Sequence, residues 1–388
     1  MSAQKKVSDS GTQLRYKMME MAAAMDDVIT LGRGDPDLDT PRHIVEAAQD
    51  ALRWGAALEV PPPQGLLELR QAIARKLRRD NDILVDPETE VQVTTGGQEA
   101  LFFLVQALVN PGDEILMPDP RYTSYDGAIN MAGGKIVSVP TYEEDDFDLR
   151  PEKVEACITP NSKALLLVTP SNPTSGVISP PNIRRLAEIA QERDLIVISD
   201  EIYDRYLYDD AVHLSIGSLP GMKERTITLN AVSKAYAMTG WRIGYLAAPA
   251  PLVDAMRAFK STASRATSVV SQWAATAALN GPQECVEEYR RIYVERRRVL
   301  MAGLDGMGFV YGRPTGACYV FPNASSVGVP AEELSYRFLE EGHVLVFPGN
   351  SFGEAWGQHL RISFLTSKER LQEATSRMTR VLDGRGRK

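Results

Sequence analysis

Cysteine is scarce in this sequence. Three cysteines among 388 residues, Cys157, Cys285 and Cys318, lie far apart and form no C-x-x-C pair. Neither a disulfide framework nor a zinc knuckle is therefore expected, nor any metal site, and such thiols fit a reducing compartment, the cytoplasm. Basic charge is short as well. Lys and Arg number 43 against 51 Asp and Glu, a net charge of −8 with no basic tail, which points away from nucleic acid and toward small-molecule partners. No stretch stays apolar for the roughly 18 residues that a membrane helix needs. The first thirty residues carry Lys5, Lys6, Arg15 and Lys17 without a continuous apolar core before Met18, so no secretion signal or membrane segment is expected. Internal repeats and low-complexity stretches are also missing.

What is present reads as a globular enzyme. With 388 residues, 44% hydrophobic and 24% charged, the chain exceeds a typical single domain, and one large domain with a smaller companion is expected. From about residue 60 to 250, short apolar runs alternate with amphipathic helical patterns, the form of βα units building a largely parallel sheet. Seven β-rich runs stand out, at 90–95, 114–118, 135–139, 164–168, 195–199, 226–232 and 242–247, while Leu66, Leu69, Ile73 and Leu77 repeat at helical spacing. The run 195–199 is apolar nearly throughout, which predicts a central strand buried on both faces. Catalytic groups belong at the carboxyl ends of such strands. Beyond about residue 250 come long helices, with 284–307 rich in Arg and Glu, then short strands near 317–321, 344–347 and 360–365, an α+β pattern. Gly32, Gly34, Pro36 and Pro41 punctuate the N-terminal segment, which is expected to lie as an extended arm through about Arg42. The expected division is 1–44 as arm and part of the small domain, 45–275 as the large domain, and 276–388 as the small C-terminal domain.

Four features fall at predicted strand ends. The first strand runs into Gly96-Gly97-Gln98-Glu99-Ala100 and an apolar helix. Glycines at a helix start leave backbone N–H groups open to an anion, and the helix dipole adds partial positive charge. A plain strand-to-helix turn would read the same, and the spacing is neither G-x-G-x-x-G nor a Walker loop. The run 195–199 ends in Asp200-Glu201-Ile202-Tyr203. A carboxylate at the mouth of a buried strand is costly unless it meets a cation such as a pyridinium nitrogen, although Asp200 as a helix N-cap reads equally well. The strand 226–232 delivers Ser233-Lys234, then Thr239-Gly240-Trp241-Arg242. Desolvation and nearby cations depress a lysine's pKa and make its amine nucleophilic, as Schiff-base chemistry requires. A snorkelling surface lysine is the alternative, but its Ala, Tyr, Met, Gly and Trp neighbours make a poor surface. The strand 164–168 ends in Thr169-Pro170-Ser171-Asn172-Pro173, where Asn172 can donate to a ring oxygen or simply form the turn.

These blocks carry a resemblance. Gly34-Asp-Pro-Asp-Leu-Asp-Thr-Pro41, Leu69-Arg70, residues 94–101, Asn172-Pro-Thr and Ser199-Asp-Glu-Ile-Tyr203 occur in that order. Ser233-Lys-Ala-Tyr-Ala-Met-Thr-Gly-Trp-Arg-Ile-Gly-Tyr245 and Leu360-Arg-Ile-Ser363 follow. Over nearly its whole length the sequence resembles the class I/II aminotransferases of pyridoxal-phosphate (PLP) fold type I, and within them the prokaryotic aspartate aminotransferase-like group. The resemblance implies an α/β fold with a mainly parallel seven-stranded sheet in a large PLP-binding domain and a smaller α+β domain. It implies that Lys234 forms the Schiff base with pyridoxal 5′-phosphate, that Asp200 pairs with the pyridine nitrogen, and that Tyr203 and Asn172 hydrogen-bond the phenolic oxygen. Gly96, Gly97, Gln98, Ser233 and Arg242 are implied around the phosphate, with Tyr122 over the ring. Arg361 would clamp the substrate α-carboxylate, joined by Asn172 and Gly34. The implied reaction moves an amino group from an amino acid to a 2-oxo acid through pyridoxamine phosphate, in a homodimer whose sites are completed across subunits.

The sequence departs from that family at two places. Val60 stands where relatives carry a phosphate-binding tyrosine before the Pro61-Pro62-Pro63 turn, and Ala231 where they carry Ser or Gly. Valine cannot donate a hydrogen bond. The phosphate grip is then expected to lean on Arg242, backbone amides and Arg265 of a neighbouring subunit. Arg33 beside Gly34 can face the side chain of an aspartate- or glutamate-like donor, which is the donor expected, or stand as a solvated arginine of the arm. A C–S β-lyase, or an aminotransferase for aromatic or neutral amino acids, stays open. A PLP-sensing transcription regulator would need a DNA-binding domain, for which the short N-terminal segment leaves no room.

Overall fold

The computed structural model describes residues 10–384. It opens with a helix, Ser10–Ala23, so the expectation of an extended arm fails there. The punctuating glycines and prolines lie beyond it, whereas 12–23 carries three Met and two Ala, good helix formers, with Met18 and Ala22 buried. Residues 1–9 of the expected arm lie outside the described residues. The extended part begins with β1 (Ile29–Thr30), which pairs in parallel with Val344–Leu345.

The main sheet holds β2 (Val91–Thr94), β3 (Glu114–Asp119), β4 (Lys135–Pro140), β5 (Ser162–Val168), β6 (Ile196–Asp200), β7 (Thr226–Ala231) and β8 (Gly244–Ala247). All seven β-rich runs became strands of one sheet, in the order β2-β8-β7-β6-β5-β3-β4. Strand β8 runs antiparallel to both neighbours and the remaining pairs are parallel. Its start is two residues later than expected, because Arg242 adopts a left-handed turn conformation with φ 56°. β6 occupies the centre, and its Val197 and Ile198 belong to different apolar clusters, as a strand covered on both faces requires. Helices such as Gly96–Leu108, Ser124–Met131 and Pro180–Glu192 cross between strands. The Leu69, Ile73 and Leu77 stripe is the buried face of helix Leu67–Asn81.

Beyond the sheet, helix Glu284–Gly306 leads into β9 (Tyr319–Val320), β10 (Val344–Leu345), β11 (Phe347–Pro348) and β12 (Leu360–Ser363). The last two and β9 form an antiparallel sheet in the order β11-β12-β9. Leu300, Leu304, Phe338, Ile362 and Phe364 pack together with Tyr203, Tyr206 and Tyr208, a seam that sets the C-terminal strands against the carboxyl end of β6.

Candidate functional site

Because β2, β3, β5, β6 and β7 run the same way, their carboxyl ends open on one side, where a parallel sheet places ligands. A cleft of about 320 Å³ lies there, lined by Gly34, Gly97, Gln98, Tyr122, Asn172, Asp200, Tyr203, Ser233, Lys234, Arg242 and Arg361. Every residue singled out from sequence for the site is in that lining except Gly96, which sits directly behind it.

The Gly96 turn is built on close approach. Gly96 has φ 78°, and a Cβ on it would meet the Arg242 guanidinium at 2.3 Å. On the facing strand, a Cβ on Gly244 would come within 2.4 Å of the Gly96 carbonyl carbon, so the turn lies flat on β8 only because both residues are glycine. A Cβ on Gly97 would touch nothing, and Gly97 lines the cleft at the start of the 13-residue helix Gly96–Leu108, where the first backbone N–H groups have no partner within the helix. Arg242 adds a charged donor, steadied by a bond from its Nη1 to the Thr239 carbonyl (3.3 Å). A glycine turn at a helix N-terminus beside an arginine has the chemistry to receive a phosphate dianion.

Opposite, Asp200 Oδ2 accepts a hydrogen bond from the Tyr125 hydroxyl and Oδ1 accepts from the Ile202 N–H (3.1 Å). Burial pushes the Asp200 carboxyl above the ordinary range, against the pull of the Tyr125 hydroxyl. Among the described residues no lysine or arginine forms an ion pair with it, so this acid is arranged to receive a cation from elsewhere. Lys234 Nζ donates to the Gly34 carbonyl (2.6 Å) and lies 3.9 Å from Asp35 Oδ1. Burial draws its pKa down, helped by Arg361 and Arg242, against the pull of Asp35. The Tyr203 hydroxyl is 3.1 Å from that of Tyr319, and burial raises the Tyr203 pKa well above its ordinary value.

Arg361 is buried on β12. Its Nη1 donates to Asn172 Oδ1 (2.9 Å) and Nη2 to the Gly32 carbonyl (2.5 Å). Its guanidinium carbon lies 4.4 Å from the ring centres of both Tyr319 and Phe352, which fixes the fork's plane. Its Nε is buried without a partner. Gly34 has a different reason to be glycine than substrate approach alone, since a Cβ there would collide with the Tyr319 hydroxyl at 2.0 Å.

Several lining residues were missed from sequence, among them Arg15, Met19, Tyr125, Tyr319 and Phe347. Tyr125 carried a faint signal, one helical turn after Tyr122; the others come from distant elements with no motif around them. Arg33 stands on the rim in an ion pair with Asp35 (2.9 Å). Val60 and Arg265 are exposed on the surface, outside this chain's cleft, and Ala231 is buried opposite Gly244.

A family model for aminotransferase class I and II matches residues 26–378. The chain belongs to this aminotransferase family. The aspartate aminotransferase of Pyrococcus abyssi is 43% identical over 94% of each chain. Aromatic-amino-acid aminotransferase 2 of Thermococcus litoralis is 40% identical over the same share. Among solved structures, the Thermus thermophilus aspartate aminotransferase with maleate superposes with a TM-score of 0.92 at 38% identity, covering 98% of this chain and 100% of that one. As a class I/II aminotransferase the chain uses pyridoxal 5′-phosphate, and its residues fit that group: an acid lacking a cation, amides open to a phosphate, and a lysine held toward its neutral form.

Proposed function

We propose that the chain transfers the amino group of an acidic amino acid to a 2-oxo acid, with the residues of this cleft in the roles that follow. One observation carries the substrate reading. In a protein of net charge −8, the cleft gathers the guanidinium groups of Arg15, Arg33, Arg242 and Arg361 against the carboxyl groups of Asp35 and Asp200 alone. Such a cationic pocket suits a phosphate dianion together with a dicarboxylate.

Pyridoxal 5′-phosphate, once bound, supplies the electron sink for a carbanion at the substrate α-carbon. Gly97 and Gln98 amides, Ser233 and Arg242 hold the phosphate, with Gly96 shaping the turn. Asp200 keeps the ring nitrogen protonated, with Tyr125 fixing the carboxylate's direction. Tyr203 and Asn172 donate to the phenolic oxygen, and Tyr122 covers the ring face. Arg361 clamps the α-carboxylate through its fork, with Asn172 and Gly34 at the same end. Lys234, whose buried amine is held toward its neutral form, would serve as the general base that takes the α-proton of the substrate.

Aromatic donors are the second reading, favoured by the Tyr319 and Phe347 rings in the lining and by relatives carrying that name. The β-lyase alternative gains nothing from these relatives, which are named as aminotransferases. The exposed run Leu52, Trp54, Leu58 and Val60, 57–89% accessible, supports a homodimer, a surface of this kind being an association site. The free thiols support a cytoplasmic setting. The three-part division of the chain at about 44 and 275 belongs to the same proposal.

The test is a panel of amino acids added to the loaded enzyme without acceptor, followed by loss of the visible cofactor band. Aspartate and glutamate are expected to bleach it at the lowest concentrations. Bleaching by phenylalanine or alanine at still lower ones overturns the acidic reading.

A further inference from the structure

Behind the phosphate-binding turn a fully buried lysine pairs with a half-buried glutamate, and the chemistry above has no use for the pair. Glu99, in the first turn of helix Gly96–Leu108, accepts through Oε2 from the Thr95 backbone N–H (2.7 Å) and from Lys260 Nζ (2.7 Å). Its Oε1 accepts from the Ser264 hydroxyl (2.7 Å). Lys260 is fully buried in a separate helix, Ala250–Ala263, and also reaches Ser264 Oγ at 3.3 Å. The residue that opens the turn is thereby tied to an element that does not itself enter the cleft.

Two consequences follow from this arrangement. The Thr95 side chain makes no cap bond, so Glu99 satisfies the Thr95 N–H and fixes the entry of the chain into the helix, leaving the next amides to face the cleft. The second consequence is electrostatic. An unpaired carboxylate one turn from the phosphate would cancel the positive end of the helix and repel the dianion. Lys260 neutralises it in place, and Lys260 itself, fully buried, would be costly to leave unpaired.

We propose that Glu99 and Lys260 act as positioning residues, a clamp that sets the phosphate-binding turn and preserves its affinity for the dianion. The clamp supplies, from within one chain, part of what Val60 and Ala231 do not. It rests on the assignment of the phosphate to Gly97, Gln98 and Arg242.

The experiment strips the enzyme of cofactor and measures binding of PLP and of pyridoxal, which lacks the phosphate, to wild type, Lys260→Gln, Lys260→Gln/Glu99→Gln and Arg242→Gln. Lys260→Gln is expected to weaken PLP about tenfold, the loss of one charge-assisted contact, and to leave pyridoxal unchanged. Adding Glu99→Gln removes the stranded charge and is expected to restore most of the PLP affinity. Wild-type PLP binding in Lys260→Gln, or an equal loss of PLP and pyridoxal, overturns the clamp. If Lys260→Gln does not accumulate as folded protein, Ser264→Ala decides instead: about threefold weaker PLP with unchanged pyridoxal supports the clamp, and unchanged PLP overturns it. Arg242→Gln tests the underlying assignment separately. If it leaves PLP affinity intact, the phosphate lies elsewhere and the site reading fails; if it weakens PLP while Lys260→Gln does not, only the clamp fails.

Discussion

The role proposed for Lys234 requires a neutral amine, and its burial already favours that form. In cofactor-free enzyme the rate of regaining the visible band on adding PLP should rise with pH and level off below the ordinary lysine value of 10.5. Arg361→Leu removes a cation that helps depress the Lys234 pKa, so the plateau should move to higher pH. A plateau unmoved, or moved downward, would contradict that coupling. Lys234→Ala should abolish both turnover and the visible band, and a variant keeping both would remove Lys234 from its role. Asp200→Ala should cost on the order of 10²–10³ in kcat, as removing a preorganised electrostatic group does, with the fold retained by circular dichroism. At this scale the motifs Asp200-Glu201-Ile202-Tyr203, Ser233-Lys234 and Leu360-Arg361 could be picked out because each sits at or beside a predicted strand, and the cleft brings them together. Tyr125, Arg15 and Tyr319 were not, because only the tertiary fold brings them to the cleft.

Strands and turns were legible for a related reason. The seven β-rich runs are short, apolar and bounded by turn residues, and the sheet uses all of them. The N-terminal helix was lost because its 14 residues were read together with the glycines and prolines that follow. The β8 contact makes a sharper prediction than either. Gly244→Ala drives a methyl group into backbone at 2.4 Å, so it should cost about 1–3 kcal/mol of stability and lower PLP retention, read by thermal melting and by cofactor content after dialysis. A buried cluster beside β6 supplies a pH test. Glu201 accepts from Ser215 (2.6 Å), Asn81 (2.9 Å) and His213 (3.0 Å), and Lys76 pairs with Asp204. Burial disfavours a charged His213, but the Glu201 carboxylate outweighs it and the His213 pKa rises above 6.5. A raised histidine contributes stability that is fully present below its unfolded pKa of about 6.5 and is lost as pH rises through the folded value. The Tm difference between wild type and His213→Gln should therefore be largest below about pH 6.5 and shrink above it; a gap that widens with pH would contradict the pairing.

Over the whole molecule, an acidic surface surrounds a cationic cleft, and no helix among the described residues is long and apolar enough to cross a membrane. The face bearing Trp54 and Leu58, 70% and 89% accessible, is the surface on which the proposed homodimer rests. Trp54→Ser/Leu58→Ser should turn a dimer into a monomer in light scattering, and a wild type that is already monomeric would remove the homodimer. The central claim stands on one lysine. Sodium borohydride reduction of the loaded enzyme fixes the cofactor to whichever amine carries it, and peptide mapping by mass spectrometry then reads the position. The pyridoxyl group is predicted on Lys234; finding it on Lys260 or any other lysine would contradict the account.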